Sequence, residues 1–287
     1  MPSPLAGENG QVLDSQIVFR RRNRLALEAI LSEAMAVTCL HLDPSLPPAA
    51  ILATEELLLN EVEGGGPEVL CFWESPRPFV VLGYGQVANR EADLEACRAA
   101  EVPVLRRESG GGAVLQGPGS LNYALFLRQD SDAALATVSG TNRWILERNQ
   151  RALQSLLPLP LALIPSIRGH TDLALTGIDG VARKVSGNAQ RRRRTALLFH
   201  GTLIYSLAEL QRAASLELLR SPSSEPEYRR NRGHLDFLTS IPAADATLRA
   251  AWIQEWGAKT PGFGPEPQAV QDRVASRYHL DSWNLRR

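Results

Sequence analysis

Short apolar runs alternate with helical patterns from about residue 35 onward. Apolar runs bounded by glycine, proline or polar residues predict strands at 36–42, 68–73, 79–82, 102–106, 121–127, 173–176, 184–186 and 197–204. Apolar residues at helical spacing predict helices at 48–63, 89–100, 142–156, 248–256 and 268–278. This succession predicts a compact domain that contains both helices and strands.

The composition of the chain divides it into three parts. Residues 1–34 contain a run of arginines before an apolar stretch, and we expect a flexible N-terminal extension rather than a targeting segment. Residues 35–245 hold the alternating pattern and predict the main domain. After a Ser/Pro-rich linker at 221–227, residues 246–287 are too few for a core of their own and should lie against the main domain.

Charge and cysteine content restrict the possible functions. The 287 residues include 31 basic and 31 acidic side chains, so no overall field favours nucleic acid as a partner. The three cysteines follow no metal or disulfide spacing, which indicates a reducing compartment, and we expect a cytoplasmic protein. No apolar run approaches the roughly 20 residues that span a bilayer. We therefore expect neither a membrane nor a nucleic-acid partner.

The stretch 106–122 has the most unusual composition in the chain, and it reads RRESGGGAVLQGPGSLN. Three consecutive glycines contribute no side-chain packing, and such a loss is tolerated where the backbone must come close to a ligand or to another segment. Consecutive N–H groups in such a turn can bind an anion, and Arg106 and Arg107 add charged donors. The spacing matches neither a Walker P-loop nor a dinucleotide fingerprint. An ordinary strand-turn-strand corner remains the alternative.

A second polar stretch, 184–190, reads KVSGNAQ. Lys184 beside a glycine could neutralise a developing oxyanion, although a lone lysine is usually solvated. Asp172 could hold Mg²⁺ beside phosphates, with a turn or cap role as the alternative. His200, in an apolar run, is more often a satisfied histidine than a base. The arginines at 191–194 predict a solvated turn, with contact to phosphate or an acidic partner as the alternative.

These stretches together resemble the lipoate-protein ligase family, within the larger group of biotin ligases and octanoyltransferases. The resemblance rests on RRESGGGAVLQGPGSLN, then TDLAL, RKVSGNAQ and FHGTLI, with TEELLLNEV, FWESPRPFVVLGYGQ and EYRRNRGHLDFLTSI in support. It covers residues 35–241 and implies that the main domain, 35–245, is a ligase-like catalytic domain. It implies an α+β fold, with a mixed, mainly antiparallel sheet flanked by helices.

The resemblance also implies a reaction and its residues. In this family lipoate or octanoate attacks ATP to give an acyl-adenylate, and a carrier lysine then takes the acyl group. Lys184 would contact the phosphate and carbonyl, and Asp172 would lie by Mg²⁺. The residues implied to bind substrate or adenylate are Arg106, Arg107, Ser109, Gly110, Gly111, Gly112, Ala113, Asn122, Ser186, Gly187, Ala189, His200 and Gly201.

Three features depart from the family pattern. The octanoyltransferases carry the acyl group on a cysteine, whereas 164–173 contains none and no cysteine follows Cys97. Two-domain ligases have a C-terminal accessory domain, for which this chain lacks room, so an accessory subunit is a further candidate partner. Gln116 and Pro118 stand where ligases more often have other residues, which indicates an atypical acyl pocket.

The sequence therefore favours an ATP-dependent ligase that attaches lipoate, or a related medium-chain acid, to a lysine of a lipoyl or other carrier domain. An octanoyltransferase that needs neither ATP nor an acyl-cysteine is the enzymatic alternative. A non-catalytic protein that binds an acyl-adenylate is the alternative from another class.

Overall fold

A computed structural model describes residues 37–157, 163–222, 225–258 and 260–286. The predicted extension 1–34 and two residues of the predicted linker, 223–224, lie outside the described residues. The division into extension, catalytic domain and tail stays a prediction. Among the described residues, no helix combines the length and apolar character needed to cross a bilayer.

Eleven strands are formed by the described residues. They are β1 (Thr38–His41), β2 (Val69–Trp73), β3 (Phe79–Leu82), β4 (Val104–Arg106), β5 (Val114–Gln116), β6 (Ser120–Arg128), β7 (Ile164–Arg168), β8 (Asp172–Thr176), β9 (Ala182–Arg192), β10 (Ala196–Ile204) and β11 (Thr260–Pro261).

Nine α-helices are formed by the same residues. They are α1 (Pro48–Glu63), α2 (Ala88–Glu91), α3 (Leu94–Ala99), α4 (Val138–Leu156), α5 (Leu207–Ala213), α6 (His234–Phe237), α7 (Asp245–Trp256), α8 (Pro267–Arg273) and α9 (Asp281–Asn284). A π-helical turn, Val274–Tyr278, follows α8.

Eight strands form one large sheet in the order β11-β1-β2-β6-β10-β9-β8-β7. Only the pairs that include β1 are parallel, and all the others are antiparallel. The predicted mixed, mainly antiparallel sheet is confirmed. Its connections after β6 are mostly hairpins, which favour antiparallel neighbours.

Helices cover both faces of the large sheet. In β2, Leu70 and Phe72 contact the core that includes α4 and α7, whereas Val69 and Cys71 contact α1. Because successive side chains of a strand point to opposite faces, an element buried on both sides shows an apolar run instead of alternation. This burial explains why β2, β6 and β10 are recognisable from the sequence.

A small sheet of three strands, in the order β4-β3-β5, carries the glycine-rich stretch. Strand β3 pairs with β4 in parallel and with β5 antiparallel. The segment between Arg106 and Val114 therefore crosses from one side of β3 to the other. Strand β6 then returns to the large sheet and brings this loop against β9 and β10.

Two sequence predictions need correction. The predicted helix 89–100 is two helices, because Ala92 is extended and Asp93 caps α3 by accepting a hydrogen bond from the Ala96 N–H at 3.0 Å. The predicted strand 184–186 lies within the longer β9, which also includes Arg191 and Arg192. Because many side chains of β9 are polar, a search for apolar runs did not recognise the whole strand.

Candidate active site

A cavity of about 170 Å³ lies where the glycine-rich loop meets β9 and β10. Eleven of the predicted site residues line it: Arg107, Gly111, Gly112, Ala113, Asn122, Asp172, Lys184, Gly187, Ala189, His200 and Gly201. A second cavity of about 640 Å³ adjoins the first, and both are lined by Lys184, Asp172, Gly187 and the loop at 112–114. Lys184 therefore lies at the junction of two cavities.

A β-bulge in β9 sets the direction of Lys184. Leu173 pairs with Ser186 and the next residue, Ala174, pairs with Lys184, so Val185 is an extra residue. Such a bulge re-aims neighbouring side chains. The Lys184 Nζ lies 2.8 Å from the Asp172 Oδ1. The buried Asp172 also accepts a hydrogen bond from the Tyr228 hydroxyl at its Oδ2, at 2.8 Å.

Gly187 leaves the space that the Lys184 ammonium occupies. A Cβ at this position would lie 2.6 Å from the Lys184 Nζ and 2.7 Å from its Cε. Gly187 is directly opposite Asp172 across the β8–β9 pair. The presence of a glycine inside β9 is therefore explained by the position of the lysine.

The buried Arg107 side chain fixes the glycine-rich loop by hydrogen bonds to its backbone. Its Nη2 donates to the carbonyls of Gly110 at 2.6 Å and Gly112 at 2.9 Å. Gly111, between them, has a φ of +86°, a conformation that favours glycine. Burial lowers the pKa of Arg107 to about 10, with Glu55 opposing the shift. The guanidinium therefore stays charged at neutral pH and fixes the loop carbonyls.

A buried chain of hydrogen bonds links this loop to α1. The Arg107 Nε donates to the Ser109 Oγ at 2.9 Å, and this oxygen is 2.6 Å from the His200 Nε2. The His200 Nδ1 lies 2.8 Å from the Glu55 Oε2. An ionised carboxylate can only accept hydrogen bonds, so the His200 Nδ1 donates to Glu55. Both ring nitrogens of His200 therefore have hydrogen-bond partners, as expected for the satisfied histidine that the sequence favoured over a base.

Ser109 and Ser186, both predicted to bind ligand, are completely buried. The Ser186 hydroxyl accepts from the Asn188 Nδ2 at 3.2 Å. Neither serine lines the two cavities. Their positions make them supports of the loop and of β9.

Asn188 connects the cavity to the core. Its Nδ2 donates to the Thr171 carbonyl at 2.7 Å, and its Oδ1 accepts from the Tyr123 hydroxyl, which in turn accepts from Asn149 at 2.7 Å. A Cβ at Gly201 would overlap the Asn188 Oδ1. Gly201 is thus required for the packing of Asn188.

Gln116 and Asn122 form a reciprocal amide pair in the cavity wall. Each donates an N–H to the carbonyl oxygen of the other, at 2.8 and 2.9 Å. Ser120 donates to the same Gln116 oxygen at 3.2 Å. The departure from the family pattern at Gln116 therefore produces a closed, neutral wall.

Arg106 does not reach either cavity, although we predicted that it binds ligand. Its side chain is fully buried and donates to the backbone carbonyls of Gly83, Tyr84, Gln86, Trp283, Asn284 and Arg286. Adjacent residues of an extended segment point to opposite sides, so only Arg107 faces the loop. Arg106 instead joins the small sheet to the C-terminal segment.

We expect Arg106→Ala to lower the free energy of unfolding by about 3 kcal/mol or more, because several buried carbonyls would lose a charged donor. Urea unfolding followed by circular dichroism measures this change. The matched control is Arg98→Ala, at an exposed position on α3. Equal stability of the two variants would contradict the structural role of Arg106.

Several site residues were not identified from the sequence. Glu55, Trp73 and Tyr123 line the smaller cavity, and Tyr228 holds Asp172. The buried Glu55 accepts a hydrogen bond from the Trp73 Nε1 at 2.8 Å. The sequence offered one indication of this role, because Glu55 lies among the apolar residues of α1 and a carboxylate is rarely buried without a partner.

Comparison with known proteins identifies relatives of the chain. Residues 47–237 match the model of the lipoyl protein ligase A/B catalytic domain. The octanoyltransferase LipM of Geobacillus kaustophilus is 27% identical over 272 residues, 84% of this chain and 95% of LipM. The chain spans only about half the length of two archaeal relatives with lipoate-protein ligase names, 52% and 56%.

Solved structures share the fold. The bipartite lipoate-protein ligase from Thermoplasma acidophilum, studied with its E2 lipoyl domain, has a TM-score of 0.71, 20% identity, and coverage of 88% of this chain and 96% of that one. A lipoate-protein ligase A bound with ATP has a TM-score of 0.68, 21% identity, and coverage of 88% and 99%. At this identity the likeness establishes the fold.

Proposed function

Because the chain belongs to the lipoyl protein ligase A/B catalytic domain family, we propose that it joins lipoate, or a related medium-chain acid, to a lysine of a carrier domain through an acyl-adenylate. One observation carries the proposal: the Lys184 ammonium lies at the junction of two cavities, and no cysteine lines either of them. A charged donor is therefore present where the acyl and phosphate groups would meet. A thiol that could form an acyl-enzyme is absent from the described residues that line these cavities.

The two cavities suit two substrates. The larger one lies in the range of about 300–1,000 Å³ found for small-molecule sites, and we assign it to the nucleotide. The smaller one, walled by Leu52, Trp73 and Val81 among others, would take the acyl chain. The carboxylate and the α-phosphate would then meet at Lys184 and the glycine-rich loop.

In the first step a carboxylate oxygen of the acid attacks the α-phosphorus of ATP, and the bond to the bridging oxygen of pyrophosphate breaks. Negative charge moves onto the phosphate oxygens, where Lys184 stabilises it. In the second step the ε-amine of the carrier lysine attacks the acyl carbon, AMP leaves with the bonding electrons, and the amine loses a proton. The loop N–H groups would stabilise the carbonyl oxygen.

Asp172 would hold Mg²⁺ if the nucleotide brings it. Among the described residues, no three histidine, cysteine or acidic side chains form a cluster that could hold a metal. Mg²⁺ on a nucleotide needs only one or two carboxylates, and Asp172 keeps free lone pairs beside those used by Lys184 and Tyr228. The ion would neutralise phosphate charge. The donor set fits this limited role.

The direct test is to incubate the protein with ATP, Mg²⁺, lipoate and a lipoyl domain, and to weigh the domain by mass spectrometry. We expect a mass gain of one lipoyl group that requires ATP. An arm with a candidate accessory subunit is included, as the related ligase from Thermoplasma acidophilum is bipartite. The absence of a mass gain in every arm would overturn the proposal.

A second candidate function is octanoyl transfer without ATP. The match to LipM over nearly its whole length favours this alternative. The same assay distinguishes it when octanoyl-acyl carrier protein replaces lipoate and ATP. A mass gain in that arm alone would identify a transferase.

We expect iodoacetamide to leave the rate of acyl transfer unchanged at pH 7.5. Burial raises the pKa of the Cys39, Cys71 and Cys97 thiols, so less of the reactive thiolate forms than in a free cysteine. The rate is measured beside the extent of alkylation. Inactivation in step with alkylation, prevented by the acyl substrate, would instead indicate an acyl-cysteine route.

A further inference from the structure

A recessed chamber of about 300 Å³ lies behind the glycine-rich loop. Its walls include four arginines, Arg191 and Arg193 from β9 and the adjoining turn and Arg273 and Arg277 from the C-terminal segment, with the carboxylates of Glu56 and Glu108. We call it the arginine chamber. It shares no lining residue with the two cavities at Lys184.

The charges in the arginine chamber do not balance. Glu56 pairs with Arg273 at 2.6 Å and with Arg277 at 3.0 Å, and Glu108 pairs with Arg193 at 2.9 Å and also with Arg277. No ion pair of the described residues includes Arg191, whose guanidinium lies 5.4 Å from the centre of the Tyr84 ring. Four positive groups against two negative ones leave an excess of two positive charges.

Three buried polar atoms of these same residues have no hydrogen-bond partner within the part of the chain that the structure describes. They are the Nε atoms of Arg191 and Arg193 and the Oε2 of Glu56, a side chain that is 96% buried. Buried polar groups are normally paired, and such a concentration of unpaired ones in one chamber points to a ligand. A ligand that pairs these three atoms accepts two hydrogen bonds and donates one to Glu56, a carboxylate that the Tyr278 hydroxyl also faces.

The donors and the acceptor together select a class of anion. Guanidinium groups match phosphate oxygens in geometry and charge. Burial and the nearby Glu108 raise the pKa of Glu56, so a proton shared between its carboxylate and a ligand oxygen is favoured. Inorganic phosphate still carries a proton at neutral pH, whereas sulfate has none to donate.

We propose that the arginine chamber is a binding site for protonated phosphate, either free or as the end of pyrophosphate. Two phosphate oxygens accept from Arg191 and Arg193, and the P–OH group donates to Glu56. The aromatic rings of the chamber, Tyr84 and Trp283, already lie against arginines, so a base would compete with a guanidinium for these rings. The ligand is therefore a compact anion rather than a nucleoside.

Isothermal titration calorimetry of the full chain tests the site with inorganic phosphate, pyrophosphate and sulfate, at pH 7 and constant ionic strength. We expect saturable binding of one phosphate per chain, at least about tenfold tighter than sulfate, because a buried hydrogen bond to a charged group is worth that much or more. Binding of pyrophosphate tighter than phosphate would identify the diphosphate as the better ligand of the same site. Absence of saturable phosphate binding, or equal affinity for phosphate and sulfate, would overturn the proposal.

Two variants locate the site. We expect Arg191→Gln to weaken phosphate binding by about tenfold, and the matched control Arg194→Gln, an exposed neighbour outside the chamber, to leave it unchanged. We expect Glu56→Gln, checked for folding by its melting temperature, to remove the preference for phosphate over sulfate, because an amide N–H₂ can donate to either anion. Equal effects of the Arg191 and Arg194 substitutions would place the anion elsewhere and reject the assignment.

Discussion

The substitution Lys184→Ala should lower the rate of acyl transfer by more than about 100-fold, the usual loss when one preorganised charged donor is removed. The ammonium group lies at the junction of the two cavities, where the carboxylate and the α-phosphate would meet. It is held there by Asp172, which Tyr228 orients in turn. Its charge is therefore in place before negative charge develops.

The fold should survive this change. The Lys184 side chain is partly exposed, and its loss leaves the buried Asp172 with the hydrogen bond from Tyr228. The rate is measured by mass spectrometry of the carrier domain, and folding by the melting temperature. Because the donor is most effective in the transition state, we expect the fall to occur mainly in kcat.

Arg183→Ala is the matched control for Lys184→Ala. Arg183 is the preceding residue in β9 and pairs at the protein surface with Asp179, at 2.7 Å. Loss of such an exposed ion pair lowers the free energy of unfolding only slightly. It also leaves the charge at the cavity unchanged. Near-wild-type turnover of Lys184→Ala, or equal losses in the two variants, would reject the role of Lys184.

Strands buried on both faces could be predicted from the sequence, because apolar runs between turn residues identify them directly. The same method failed at β9, where one side of the strand lines the two cavities and the sequence is mostly polar. It also failed between α2 and α3. There Ala92 forms a bridge with Leu219, a contact more than a hundred residues away that no local pattern reveals.

The candidate site could be predicted from the sequence only at residues that belong to short, recognisable motifs. The glycine-rich loop and Lys184 were proposed in this way, and in the structure they line the same cavity, while their role stays a prediction. The sequence could not separate the roles of Arg106 and Arg107, since their partners come from opposite sides of the small sheet. Arg106 donates to the turn at 83–86 and to the C-terminal segment, and Arg107 donates to the loop itself. Tyr228 was missed because its role depends on a contact with Asp172, 56 residues earlier.

Gly187→Ala should lower the rate of acyl transfer by about 100-fold, the loss expected when a catalytic group is misplaced by about 1 Å. A Cβ at this position would lie 2.6 Å from the Lys184 Nζ, so the flexible end of the lysine must move away from Asp172. The clash involves a side-chain end and not backbone, so the melting temperature should change little. The control is Gly85→Ala, where a Cβ would meet no atom within 4 Å.

The double variant Lys184→Ala/Gly187→Ala determines whether the glycine acts through the lysine. If Gly187 matters only because it leaves space for the ammonium, the double variant should be no slower than Lys184→Ala alone, since residues that act as a unit are not additive. A further loss of rate in the double variant would show that Gly187 has a separate role, such as close approach of its backbone to the nucleotide. Full activity of Gly187→Ala would show that the position of the ammonium seen in the structure is not the one that supports the reaction.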